Sequence, residues 1–218
     1  NPVFGSLEAA YWSEGAWITE RVDTLGNGNA SASLMLDRFD VPFACYRRPA
    51  TDEFVFATRD AAGWTTQVID SGDGVGAYSS MDIADDGTIL ISYYVADTGE
   101  LRLATSPAMD TKADHAADIT WTVQTVDDNG NVGLYCKVEA VTFWGTVRIA
   151  YYNSTEAAVQ VATLEPDAPG WTVERVTEDG YDMGINTALG LDPGGKAILV
   201  FQNNTVSVND QGLTFGRE

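Results

Sequence analysis

Histidine occurs once in this chain, lysine three times and cysteine twice. The single histidine, His115, has no serine or cysteine at motif spacing, so no hydrolytic triad or Cys–His pair can be read from the chain. Basic residues are scarce as a class. Twelve Lys and Arg stand against 32 Asp and Glu, which gives a formal net charge of −20 and a pI near 4.1. A surface so acidic repels phosphate backbones and anionic lipid, which argues against nucleic acid and membrane surfaces as partners. It attracts cations and basic proteins, or simply keeps the chain soluble in a salty medium. Long hydrophobic runs are also missing. The apolar stretches are strand-sized, so membrane insertion by a helix is not expected. The chain opens at Asn1 without methionine or a signal peptide, which suggests a processed or trimmed start. Cys45 and Cys136 fall in nonequivalent strands two repeats apart, and free buried thiols are expected in preference to a disulfide.

Apolar residues make up 44% of the chain and aromatics 11%, enough to exclude disorder despite the charge. What dominates the sequence is self-similarity. A segment of the type W-T-x-x-x-V-D, followed by a Gly-rich loop and two apolar strands, starts at Trp17, Trp64, Trp121 and Trp171, and a worn copy, LTFGRE, begins at Leu213. The steps are 47, 57, 50 and 42 residues, a spacing typical of propellers and arrays. The excess in the second step is residues 107–118, PAMDTKADHAAD. Each unit offers four short strands, at 31–37, 43–47, 54–59 and 64–70 in the first, then 78–84, 88–94, 101–106 and 121–127 in the second. The third reads 134–141, 146–152, 159–164 and 171–177, and the fourth 186–192, 197–202, 206–208 and 213–217. Asp85-Asp86-Gly87 between two of these is a hairpin signal. No segment carries a helical apolar stripe.

The expectation is one all-β domain over residues 1–218, a β-propeller of about four four-stranded antiparallel blades, with five blades or an arc of a larger ring as alternatives. Closure is the open question, because residues 1–16 look like half a repeat. The ring closes on itself if the pair 7–22 completes the blade begun by 186–202, and the tail is then surplus. Otherwise a partner or further copies complete the ring. Self-closure is the preferred expectation, since an unpaired edge would aggregate.

The pattern W-T-x-x-x-V-D…S-S-x-D-I-A-D-D-G-x-x-x-I-S-Y-Y…L-x-x-A-T resembles repeats of secreted and surface bacterial proteins with β-propeller domains. That resemblance implies a secreted or cell-surface bacterial protein. The chain is also distantly similar to sialidase-type propellers, but their S-x-D-x-G-x-x-W box is absent, because Gly87 is followed by Thr-Ile-Leu-Ile.

Candidate functional residues cluster in the loops that join one unit to the next: 23–29, 70–76, 127–131 and 178–182. Asp, Asn and Gly form turns, yet they are also oxygen donors of the kind calcium prefers. Asp70, Asp73, Asp127 and Asp128 are therefore candidate ligands for Ca²⁺, the one cofactor the chain suggests. A carbohydrate or protein ligand could use Asp73, Asp128, Asn131 and Asp182 on the same loops. Tyr78 and Tyr135 follow two of these loops, with Asn186 in the matching place, and an aromatic ring beside amides makes a sugar platform. Tyr46 and Arg47 lie near that face. Arg47 could bind an acidic group or pair with a neighbouring Asp. Trp144, at a turn tip on the opposite face, is a candidate contact surface. The resulting expectation is a non-catalytic, lectin-like binding module. A scaffold subunit is the alternative and a glycoside hydrolase the third reading. The four repeated tryptophans, Trp17, Trp64, Trp121 and Trp171, are read as packing residues.

Overall fold

Every unit of the repeat becomes one antiparallel sheet, because each strand carries β-branched and aromatic residues and each junction carries Gly or Asp. The protein is seen here as a computed structural model that describes residues 5–28, 30–109, 119–141, 145–192, 194–205 and 213–217. His115, Trp144, Asn29 and the strand expected at 206–208 lie outside the described residues. β1 (Gly5–Ser13) and β2 (Ala16–Gly26) form a two-stranded hairpin. The first full sheet is β3 (Ala32–Leu36), β4 (Pro42–Arg48), β5 (Glu53–Asp60) and β6 (Gly63–Ser71). The second is β7 (Val75–Ile83), β8 (Ile89–Val95), β9 (Glu100–Thr105) and β10 (Thr122–Asp127). The third is β11 (Leu134–Val141), β12 (Thr146–Asn153), β13 (Ala158–Leu164) and β14 (Thr172–Arg175). The last has three strands, β15 (Met183–Leu191), β16 (Ala197–Asn203) and β17 (Leu213–Arg217). The fold is thus all-β, with four-stranded antiparallel sheets following one another in chain order.

Successive sheets meet face to face, with first strand against first strand: β3 on β7, β7 on β11 and β11 on β15. The cores therefore lie between sheets. Phe43, Cys45, Phe54 and Phe56 of the first sheet meet Met81, Ile91 and Tyr93 of the second. Leu90, Leu101 and Leu103 of the second meet Val138, Ile149 and Tyr151 of the third. Along each strand, neighbours alternate between these two interfaces, as a period of two requires. Three of the four repeated tryptophans, Trp64, Trp121 and Trp171, lean back on the sheet before them, whereas Trp17 does not pack as expected. Phe56 and Trp121 ring centroids are 5.1 Å apart, and Trp64 Nε1 donates to Glu20 Oε1 at 2.8 Å. Trp17 has no preceding sheet among the described residues and is exposed, edge-on to Trp12 at 5.6 Å.

Two expectations about closure need correction. β17 bonds β16 directly, with Phe201 opposite Thr214, so 213–217 is a third strand and not a fourth. The 7–22 pair does not complete the last sheet, because β17 holds that edge and β1–β2 forms a separate sheet. β16 offers one edge beyond β15, only one strand can bond to it, and β17 occupies it. Cys45 and Cys136 are buried free thiols, as expected. Burial pushes Cys45 up to about 12 and Cys136 to about 11.

Candidate functional site: a tyrosine-lined loop face

The loops between sheets and the turns after each second strand open on one face, joined by a repeating backbone hydrogen bond. The N–H of Ala50 donates to Leu25 O at 3.2 Å, Ala96 to Gly74 at 3.0 Å, Ser154 to Asn131 at 2.9 Å and Asn204 to Asp182 at 2.6 Å. This pairing satisfies amides that would otherwise be left open at the loops.

Beneath these loops runs a ladder of aspartates. Asp23, Asp70 and Asp127 each stand six residues after a repeat tryptophan. Each Oδ1 accepts a following backbone N–H: Thr24 at 2.7 Å, Ser71 at 2.8 Å and Asn129 at 3.0 Å. Each Oδ2 accepts a tyrosine hydroxyl from the next sheet: Tyr46 at 2.7 Å, Tyr93 at 2.7 Å and Tyr151 at 2.5 Å. Arg48 adds 2.6 Å to Asp23, and Arg102 adds 3.0 Å to Asp70. At the fourth junction the corresponding residues are Thr177 and Phe201, so hydroxyl and carboxylate are lost together. Burial alone would raise the Asp23 carboxyl, but Tyr46, Arg48 and the Thr24 amide outweigh it and hold the group below its usual range. Burial first, and then the facing aspartate, pushes all three tyrosines upward.

This ladder redefines several of the sequence candidates. Asp70 and Asp127, expected as calcium ligands, spend both carboxylate oxygens on protein donors. Tyr46, expected at the ligand face, is wholly buried between sheets. Arg47 pairs with Asp52 at 2.9 Å, the internal ion pair that its acidic neighbours suggested. Asp73 and Asp128 lie exposed on their loops. No group of three His, Cys, Asp or Glu side chains converges as a metal cage among the described residues.

What the structure does bring together is aromatic. Tyr78, Tyr135 and Asn186 sit at equivalent bulges of β7, β11 and β15, each with a positive φ, of 54°, 55° and 56°. A left-handed residue inside a strand re-aims its side chain out of the ladder. Two residues earlier, Gly76, Gly133 and Gly184 also have positive φ and lie against the preceding sheet. The Tyr78 and Tyr135 rings lie 4.5 Å apart at 50°, and Tyr94 is 6.1 Å from Tyr78. Tyr94 donates to Asn131 Oδ1 at 2.6 Å, and Tyr152 donates to Asp182 Oδ1 at 2.5 Å. These two bonds fix the positions of the loop residues Asn131 and Asp182. Asn131 N–H is held by Thr155 Oγ1 and Asp182 N–H by Thr205 Oγ1, both at 2.8 Å. Asn186 donates to Gln202 at 3.2 Å and extends the polar rim. Burial, and then the neighbouring Tyr135 hydroxyl, raises the Tyr78 phenol.

Sequence reasoning missed Tyr94 and Tyr152. The doubled Tyr-Tyr in two second strands was the available signal, since alternation sends one ring into the core and its neighbour to the loops. It also missed a carboxyl pair at the other end of the first strands. Asp82 Oδ2 accepts Ala140 N–H at 2.6 Å, which places it beside Glu139, and Asp82 Oδ1 accepts Ile83 N–H at 2.8 Å. Burial raises both carboxyls, and for Glu139 the Asp82 charge adds to it.

No family model matches the chain, and no curated protein matches it. Solved structures do resemble it. A triple arginine-to-alanine mutant of AofleA from Arthrobotrys oligospora aligns at TM-score 0.54 and 14% identity, over 87% of this chain and 56% of that one. A protein from Lactobacillus plantarum aligns at 0.53 and 13%, over 97% and 63%. A bifunctional GH43-CE protein from Bacteroides eggerthii aligns at 0.50 and 14%, over 91% and 29%. The chain therefore spans between 29% and 63% of the length of these structures. At such identities the likeness is one of fold, and it places this all-β chain beside propeller-like structures.

Proposed function

We propose that the chain is an arc of β-propeller blades and that its loop face binds carbohydrate without transforming it. The observation that carries this reading is the Tyr78–Tyr135 ring pair, held 4.5 Å apart on left-handed bulges, with Asn131, Asp182 and Asn186 on the same loop face. An open aromatic face suits the C–H surface of a sugar ring, and fixed amide and carboxylate oxygens suit its hydroxyls. The tyrosine hydroxyls orient Asn131 and Asp182 before any ligand arrives, so less ordering is needed on binding. A net charge of −20 disfavours anionic sugars, which points to neutral saccharides. The GH43-CE neighbour agrees with a carbohydrate-related role. The resemblance to repeats of secreted and surface bacterial proteins supports an extracellular setting.

The test is a glycan array followed by calorimetry on the hits, in calcium and in chelator. Tyr78→Ala and Tyr135→Ala are expected to weaken binding at least about tenfold each, equivalent to about 1.4 kcal/mol. Arrays that stay blank with folded protein, or hits indifferent to both substitutions, would overturn the proposal.

One observation favours a hydrolytic second reading. Asp82 and Glu139 are neighbouring carboxyls with raised proton affinity, the property a general acid requires. Turnover of a chromogenic glycoside panel, lost in Asp82→Asn and in Glu139→Gln, would establish it in place of simple binding.

A further inference from the structure

Two interfaces in this chain follow one rule, and the rule leaves two faces bare. On the side facing the preceding sheet, equivalent first-strand positions hold Leu34, Met81, Val138 and Leu189. Met81 is 5% exposed and Val138 2%, each covered by the sheet before it, whereas Leu34 is 66% exposed and Leu36, two residues on, is 59% exposed. On the opposite side, equivalent second-strand positions hold Phe43, Leu90, Arg148 and Ile198, apolar in all but the third sheet, where Arg148 donates to Gly195 O of the next sheet at 3.0 Å. Phe43 is 1% and Leu90 4% exposed under the sheets that follow them, but Ile198 is 51% exposed. Leu199 and Phe201 turn toward the third sheet, so alternation places Ile198 and Val200 together on the outer face. The first and last sheets thus present the two complementary apolar halves of an interface the molecule already makes twice, between the first and second sheets and between the second and third. Among the described residues of one chain they do not pack as successive sheets do, since β15 makes no contact with β3 comparable to those between successive first strands.

The first bare face is also a shaped place. The β1–β2 hairpin packs Leu7 and Val22 against Ala44, Tyr46, Val55, Ala57 and Trp64 of the first sheet and leaves β3 bare on this side. Between β1 and β3 lies a groove of about 540 Å³ lined by Leu7, Ala9, Tyr11, Leu34, Leu36 and Trp64. In sequence, β1 matches the third strand of a sheet, residues 7–11 standing before Trp17 as residues 101–105 stand before Trp121. Its only pairing among the described residues is with β2. The space beside its other edge is that of a first and a second strand.

We infer that a second copy of this chain fills this groove head to tail, its β15 and β16 covering Leu34 and Leu36 with Ile198 and Val200. β1 of one copy then bonds the β16 edge of the other, in the place that β17 holds in the single chain. The contact is heterologous, so each copy keeps one free face of each kind and the assembly closes into a ring or continues. Apolar burial drives it, and the like charge of the two copies, −20 each, opposes it. Association therefore strengthens as salt screens the repulsion.

Sedimentation velocity of the full chain, from 10 mM to 1 M NaCl and up to about 100 μM protein, tests this. Monomers at low salt and dimers or larger species at high salt are expected. Leu34→Glu and Ile198→Glu should each raise the dissociation constant at least tenfold while leaving the circular dichroism unchanged, both sites being exposed. Leu36→Glu provides a second lesion on the first face if Leu34→Glu misfolds. Mixing the two single variants should restore a dimer and nothing larger, because each retains one intact face. Thr214→Pro, which removes a β17 donor opposite Phe201, should strengthen association by freeing the β16 edge. Wild type that stays monomeric throughout, a mixture that stays monomeric, or a monomer whose Leu34 and Ile198 faces both resist labelling would overturn the inference. The last of these outcomes would mean closure within one chain.

Discussion

A tyrosine hydroxyl from one sheet and an aspartate from the sheet before it meet at three junctions, and at the fourth both are gone together. That joint loss is physically sensible. Phe in place of Tyr leaves a part-buried carboxylate short of a donor, whereas Thr177 carries no charge and its Oγ1 accepts Val159 N–H at 3.2 Å. Tyr151→Phe is thus expected to destabilise the fold by about 1.5–3 kcal/mol, the range for hydrogen bonds to charged groups. Adding Asp127→Thr should cost less than the two single changes summed, by at least about 0.5 kcal/mol. Urea unfolding of the four proteins in this cycle measures the coupling, and strict additivity would contradict the pairing. The repeating Asp and the repeating Tyr could be read separately from the chain. Their union could not, because the two residues lie 23 or 24 positions apart in different sheets.

At the scale of the element, the bulge decides what the first strand can present. Gly133 has φ +95°, and a Cβ there would lie 2.9 Å from Leu101 Cβ and 3.0 Å from its Cα. Gly133→Ala should therefore destabilise the protein by more than about 1 kcal/mol, from backbone strain and the clash together. It should also weaken binding at Tyr135, two residues on, more than a distant change of equal stability cost does. Thermal unfolding together with saccharide calorimetry checks both parts, and an unaffected binding constant would uncouple the bulge from the site. The Gly-x-Tyr and Gly-x-Asn spacing was visible in the sequence as a turn signal. That the tyrosine itself turns left-handed was not, since a bulky residue rarely adopts that conformation without a surrounding bulge.

For the molecule as a whole, charge is the dominant global term. Thirty-two acids against twelve bases repel one another in the compact state. The ion pairs present, such as Arg48 with Asp23 and Glu53, Arg102 with Asp70 and Glu100, and Arg59 with Glu20, relieve that repulsion only locally. The urea midpoint is expected to rise from 10 mM to 0.5 M NaCl at protein concentrations too low for association. A falling midpoint would mean that these ion pairs outweigh the net repulsion.

The repeat by itself determined the strand plan of the three full sheets, the all-β class and the face on which the loops gather, and it favoured free thiols without deciding their state. These follow from local pattern: period-two alternation, and Gly and Asp at turns. Only the tertiary structure decided which strand holds the β16 edge, that Asp70 and Asp127 serve the sheet junctions, and that Tyr78, Tyr94 and Tyr135 stand together. Each of these is a contest or a meeting between residues distant along the chain. Sequence names the competitors for an edge or a carboxylate, but packing geometry selects among them.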